Sequence, residues 1–172
     1  VDANNGLRWT SSDNSVATVS TNGLVTGVKN GSTIITVTTD NGKTATCKVT
    51  VQTTPTSVTM SPTSATLDLN GTKTVQLTAT ANPSTANINK GITWKSNDTS
   101  IATVSTSGVV TGVRNGSTTI IATTGNGKTA TCTITVQTSP TSVTMNTTSV
   151  TLDLSRTTTT TLTATVNPGT AN

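Results

Sequence analysis

NGKTATCKVTV, residues 41–51, returns almost unchanged as NGKTATCTITV at residues 126–136. Asn-Gly is a strong signal for a tight hairpin, because both residues accept the positive φ that a two-residue turn demands. Beyond the turn, threonine alternates with small apolar side chains, the period of a half-buried strand: Ala130, Cys132, Ile134 and Val136 share one parity. The same stretch carries Gly-Lys-Thr, the tail of a phosphate-binding loop. That loop needs an earlier glycine and a helix after it, so that successive amides cradle the phosphate. Val37 and Ala122 stand where the first glycine is required, and the next element is a strand. The nucleotide reading fails. Cys47 and Cys132, one per copy, are expected to face the core as inert small hydrophobes. The chain has no His, so a metal site lacks ligands and a nucleophilic thiol lacks its base.

Working outward, the recurrence extends over nearly the whole chain. Residues 6–60 align without a gap on residues 91–145, an offset of 85 residues, and TLDLNGTKTVQLTATANPSTAN (66–87) aligns on TLDLSRTTTTTLTATVNPGTAN (151–172). Most differences exchange like for like, as expected of two copies of one folding unit. Counted in that period, residues 54–138 form one complete unit. Residues 1–53 supply the late strands of a unit, and residues 139–172 the first strands of a further one. Neither partial unit is expected to close a core alone, since each exposes unpaired edges and apolar faces. Together they add up to one unit, which suggests a head-to-tail arrangement of copies that does not close, hence a filament, linked either by strand complementation between separate chains or by the continuous backbone of a longer repeat array. With no initiator Met and near-identical repeats, the chain reads as an internal or processed piece of something longer.

Composition agrees with an all-β chain. Of 172 residues, 30% are hydrophobic, 9% charged and 1% aromatic, and threonine makes up more than a quarter. Thr and Val are stiff at χ1 and favour the pleated strand, while strong helix formers are scarce. The net charge of +4 is spread thinly, with no basic run and almost no aromatics to stack bases, so nucleic acid is not an expected partner. No apolar run reaches membrane-spanning length.

Within the complete unit, turn signals place strands near 56–60, 64–69, 74–81, 91–96, 101–105, 108–113, 117–124 and 128–136. Alternation points Leu67 and Leu69, Val75, Leu77 and Ala79, Ile92 and Trp94, and Ile120 and Ala122 inward. Trp9 and Trp94 read as core tryptophans by parity, the alternative being a sugar-stacking platform. Asp13 and Asp98 read as turn formers rather than calcium ligands, because one isolated carboxylate per loop is a poor ligand set. Asp68 and Asp153 read as single solvated charges. The Asn-x-Ser/Thr sites at Asn30, Asn70, Asn97, Asn115 and Asn146 read as by-products of a Thr- and Asn-rich composition.

The strings running from Trp9 to Ile35 and from Trp94 to Ile120, with VATVS and IATVS followed by VTGV, and the NGKTATC strands after them, resemble the bacterial immunoglobulin-like domain, group 2. That resemblance covers essentially the whole chain. It implies an immunoglobulin-like antiparallel β-sandwich in tandem 85-residue repeats, exported to the bacterial cell surface. It carries over no catalytic, cofactor-binding or metal-binding residue. The expected function is a non-enzymatic structural module of an extracellular fibre whose partners are copies of itself. A cell-surface adhesin or carbohydrate-binding module taking surface glycans is the alternative. Ice or mineral contact through ranks of outward threonines is a weaker third, because twisted sheets rarely offer a flat face.

Overall fold

The computed structural model describes residues 6–156 and 158–168, so the outermost ends of the two partial units lie outside the described residues. In chain order the strands are β1 (Arg8–Ser11), β2 (Ala17–Val19), β3 (Val25–Gly27), β4 (Gly31–Thr38) and β5 (Thr44–Val51). Then come β6 (Ser57–Ser61), β7 (Ser64–Asp68), β8 (Thr74–Gln76), β9 (Thr78–Asn82), β10 (Ile92–Ser96) and β11 (Ala102–Val104). The last are β12 (Val109–Gly112), β13 (Gly116–Thr124), β14 (Thr129–Gln137), β15 (Ser142–Met145) and β16 (Ala164–Asn167). No helix occurs among the described residues. The chain divides into two compact units.

Unit 1 takes the described residues up to Val58, with Ala81–Ile92 and Thr124–Lys128. Its sheet runs β1-β4-β5, all antiparallel, with Trp9 opposite Val37 and Ile35 opposite Cys47. A two-stranded ribbon, β2-β3, belongs to it as well. Val16, Ala17 and Ile35 are buried there beside the Thr33 side chain. Thr33 Oγ1 lies 3.0 Å from the hydroxyls of Ser11 and Ser12 and accepts from the Asp13 amide at 2.9 Å, so the buried hydroxyl is satisfied.

Unit 2 takes Thr59–Thr80, Thr93–Thr123 and the described residues from Thr129 onward. A four-stranded sheet, β10-β13-β14-β7, and a three-stranded sheet, β11-β12-β8, carry its core. Ile120 stands opposite Cys132, and Val110 opposite Val75. Leu67, Leu77, Ile120, Cys132, Ile134 and Val136, on faces that period-2 alternation assigns inward, are fully buried, and so is Val110; Leu69, Val75, Ala79, Ile92 and Ala130, expected inward as well, are half-buried. One pairing is parallel: β14 lies beside β7 with Val136 opposite Leu67. The strand expected over 74–81 breaks in two at Leu77, because the chain changes sheets there. β8 joins β12, β9 joins β6, and the Leu77 amide donates to Gly108 O at 2.9 Å.

Thus β14 is paired on both edges, by β13 and β7, whereas its counterpart β5 pairs with β4 alone among the described residues. Among the described residues β15 and β16 pair only with each other, and all their side chains are exposed.

Candidate interaction surface

The two Gly-Lys-Thr stretches are hairpin turns. Thr39 N donates to Lys43 O and Gly42 N to Thr39 O, both at 2.9 Å, and Thr39 Oγ1 accepts from Lys43 N at 3.0 Å. Thr124, Gly127 and Lys128 repeat this pattern. The amides a phosphate would need are spent within the turn.

The cysteines part company. Cys132 is fully buried against Ile120, and burial pushes its thiol pKa up. Cys47, expected inward as well, is exposed. Parity places it on the same face, and β3 packs over the far end of β5, where a Cβ on Gly27 would stand 3.1 Å from Val51 Cγ1, but the Cys47 end of that face is open to solvent. The correction is one of cover, not of register.

Trp9 and Trp94 are half-buried, and each indole lies against a turn glycine, Gly23 and Gly108 respectively. Asp13 accepts hydrogen bonds from the amide and hydroxyl of Ser15, and Asp98 from those of Ser100, at 2.6–2.9 Å. These bonds hold both carboxyls below their ordinary pKa. They are turn formers, as their Ser-Asn-Asp surroundings suggest. Among the described residues, no cluster of three or more His, Cys, Asp or Glu could hold a metal.

One expectation needs revision. Asp68 is not a free solvated charge: its Oδ1 accepts from Ser139 N at 3.0 Å and from Asn70 N at 2.9 Å, fastening the end of β14 to that of β7. The Ser139 bonds are the largest cause of its lowered pKa. Three of the glycosylation-like asparagines make structural hydrogen bonds. Asn70 Nδ2 donates to Ser139 O at 2.7 Å, Asn115 Oδ1 accepts from Thr138 Oγ1 at 2.7 Å, and Asn30 Oδ1 accepts from Thr53 Oγ1 at 2.8 Å.

The surface most out of keeping with a finished domain is apolar. Leu152 is 46% exposed where its counterpart Leu67 is 1%, and Leu162 is 50% exposed where Leu77 is 1%. Met145 is 54% exposed where Met60 is 9%. Val143, Val150 and Leu154 are exposed too. In unit 1 the complementary deficit appears on β5, with Cys47 exposed and Val49 and Val51 half-buried, where Cys132, Ile134 and Val136 are core. Single exposed apolar residues are ordinary; a patch that a sister copy buries marks an interaction surface.

The antiparallel strands, Trp strand and sheet-switching chain define an immunoglobulin-like sandwich of the kind found in surface proteins. The sequence profile of the bacterial Ig-like domain (group 2) matches residues 1–49 and again 54–134. The chain belongs to that family, whose members are surface and structural domains, generally non-enzymatic. It is 38% identical over 128 residues to Ice-binding protein 1 of Shewanella frigidimarina, covering 73% of this chain and 14% of that protein. Over 49 residues it is 51% identical to an alpha-L-arabinofuranosidase of Bifidobacterium longum subsp. longum, covering 28% of this chain and 4% of that one. Among solved structures, domains 4 and 5 of the S-layer protein SbsC superpose with a TM-score of 0.42 at 24% identity, over 78% of this chain and 72% of that one. The chain thus spans a small part of either curated relative. No helix among the described residues is long and apolar enough to cross a membrane.

Proposed function

We propose that the chain is a non-enzymatic structural module of an extracellular bacterial filament or surface fibre, built from Ig-like repeats joined head to tail. The observation that supports this reading is the repeat: the family profile matches at 1–49 and 54–134, and the two copies align without a gap at an offset of 85 residues. A contact that joins the end of one unit to the start of the next uses two different surfaces. Such heterologous contacts propagate unless their rotation closes a ring.

Negative-stain electron microscopy of the native cell surface, with antibody to this chain, tests the reading. Labelled fibres with one regular axial repeat are expected. Label on isolated globular particles would refute it. Reproducible binding on a glycan array, lost on substituting residues 97–100 and without fibres, would favour an adhesin.

One observation favours a second reading, contact with ice. Outward threonines stand in cross-strand pairs on β13 and β14, Thr119 opposite Thr133 and Thr123 opposite Thr129, and a 38% identical relative is named as ice-binding. Inhibition of ice recrystallisation, abolished by Thr133→Lys, would support it. No inhibition by the unsubstituted chain would exclude it.

A further inference from the structure

We propose that the crossing from the first copy into the complete repeat, residues 52–56, is a locked joint rather than a free tether, clamped by Asn30, Thr53 and Asn87. The proposal rests on the head-to-tail reading and names the residues that fasten one copy to the next.

A tether between repeats ordinarily runs exposed, with its main-chain groups hydrogen-bonded to water. In unit 1 the crossing is bonded to protein instead. Thr53 N donates to Asn87 Oδ1 at 2.9 Å, and Asn87 N donates back to Thr53 O at 3.0 Å. Pro55 is fully buried, and its carbonyl accepts from Asn126 Nδ2 at 2.7 Å. Thr56 N donates to Asn82 O at 2.7 Å. These partners lie in residues 81–92 and 124–128, which belong to the complete repeat by sequence yet fold with the first copy in unit 1.

Asn30 is the centre of the clamp. It precedes β4, and its amide is used in both directions: Oδ1 accepts from Thr53 Oγ1 at 2.8 Å, and Nδ2 donates to Thr85 O. One side chain thus ties together the turn before β4, the chain just past β5 and the loop between β9 and β10. Within that loop Ala86, between the two bonded residues Thr85 and Asn87, is buried. Each bond alone contributes little. Together they leave the crossing few main-chain groups to give to water, so it opens only when several break at once.

The second crossing shows the same parts. Asn115 Oδ1 accepts from Thr138 Oγ1 at 2.7 Å, and Thr141 N donates to Asn167 O at 2.8 Å. They are the counterparts of the Asn30–Thr53 and Thr56–Asn82 bonds. Thr85 and Asn87 recur in the sequence as Thr170 and Asn172, which lie outside the described residues.

Amide hydrogen exchange of the full chain, read by NMR, tests the joint. In the parent, Thr53, Thr56 and Asn87 should exchange at least about tenfold more slowly than an unstructured chain of the same sequence. Asn30→Asp keeps an acceptor for Thr53 Oγ1 and removes only the donor to Thr85 O. This variant, and Asn30→Ala, should speed exchange at Asn87 at least about tenfold and leave Ile120, in the core of unit 2, unchanged. Unprotected Thr53 and Asn87 in the parent would overturn the proposal whatever the variants do. Protected amides that ignore both variants would overturn the clamp assigned to Asn30. Acceleration of Asn87 and Ile120 together in both variants would mean that Asn30 supports the whole fold, and would overturn a separate joint. Fibres on native cells with an unprotected crossing would sink the joint and leave the fibre reading standing; a protected crossing without fibres would do the reverse.

Discussion

The Trp94 indole lies across the turn at Gly108: a Cβ on that glycine would stand 2.8 Å from Trp94 Cζ2 and 2.7 Å from Leu77 O. Gly108 also holds φ at +84°, a region a side chain rarely adopts. Gly23 repeats the relation with Trp9 at 2.9 Å and φ +81°, but there the nearest atoms all belong to the indole and none to the backbone. Gly108→Ala is therefore expected to cost about 2–3 kcal/mol, and Gly23→Ala less, since only the side chain must yield there. Urea unfolding of the two variants checks the order. Trp94→Ala, at a half-buried site, should cost about 2–3 kcal/mol, below the range for a fully buried tryptophan.

Much of this was legible in the residues. Period-2 alternation located the strands and the inward faces of Leu67, Leu77, Ile120 and Cys132, because a strand's two faces follow from its own pleat. The non-local features were not legible. The break at Leu77 and the parallel β7-β14 pairing depend on which strand lies alongside, and neither leaves a mark within the segment. Asp68 read as a solvated charge because its partner, Ser139, is far along the chain. Cys47 shows the limit most plainly: parity assigns a face, and says nothing about whether another strand arrives to cover it.

Cys132 and Cys47 should therefore respond differently to the same change. Cys132→Ser is expected to cost about 1–3 kcal/mol more than Cys132→Ala, since a hydroxyl is buried where only a weak thiol contact to Thr133 O exists. Cys47→Ser in the single chain should stay within about 0.5 kcal/mol of the parent, as an exposed substitution does. Thermal unfolding of dilute chains checks both. Equal effects at the two sites would mean that the face of β5 is covered.

Acid should weaken the fold through its aspartates. Asp13, Asp68, Asp98 and Asp153 all have pKa values lowered from 3.8 by hydrogen bonds, chiefly to Ser15, Ser139, Ser100 and Ser155. In the folded chain each carboxyl binds its proton at lower pH than when unfolded. The stabilisation is thus fully present above the unfolded value and lost as pH falls through the folded one. Urea midpoints are expected to be flat with respect to these groups near neutrality and to fall below about pH 4. Asp68→Asn should remove part of that slope. A slope unchanged by Asp68→Asn would mean that the Ser139 bonds favour neither protonation state.

Asp68 also has a positional role distinct from its charge. Its bonds to Ser139 N and Asn70 N tie the parallel strands at their ends. Asp68→Ala is expected to raise amide exchange at Ser139 and Leu69 before it affects Ile120. Hydrogen exchange read by NMR checks this, and uniform acceleration across β13 would instead indicate global destabilisation.

Counting reactive thiols in the folded and the unfolded chain tests the account of the two copies most directly. In the dispersed chain Cys47 is exposed and Cys132 buried, so one thiol should react rapidly with a colorimetric reagent. After unfolding in urea both thiols should react. Two rapidly reacting thiols in the folded chain would contradict the buried face of β14, and none would contradict the open end of β5.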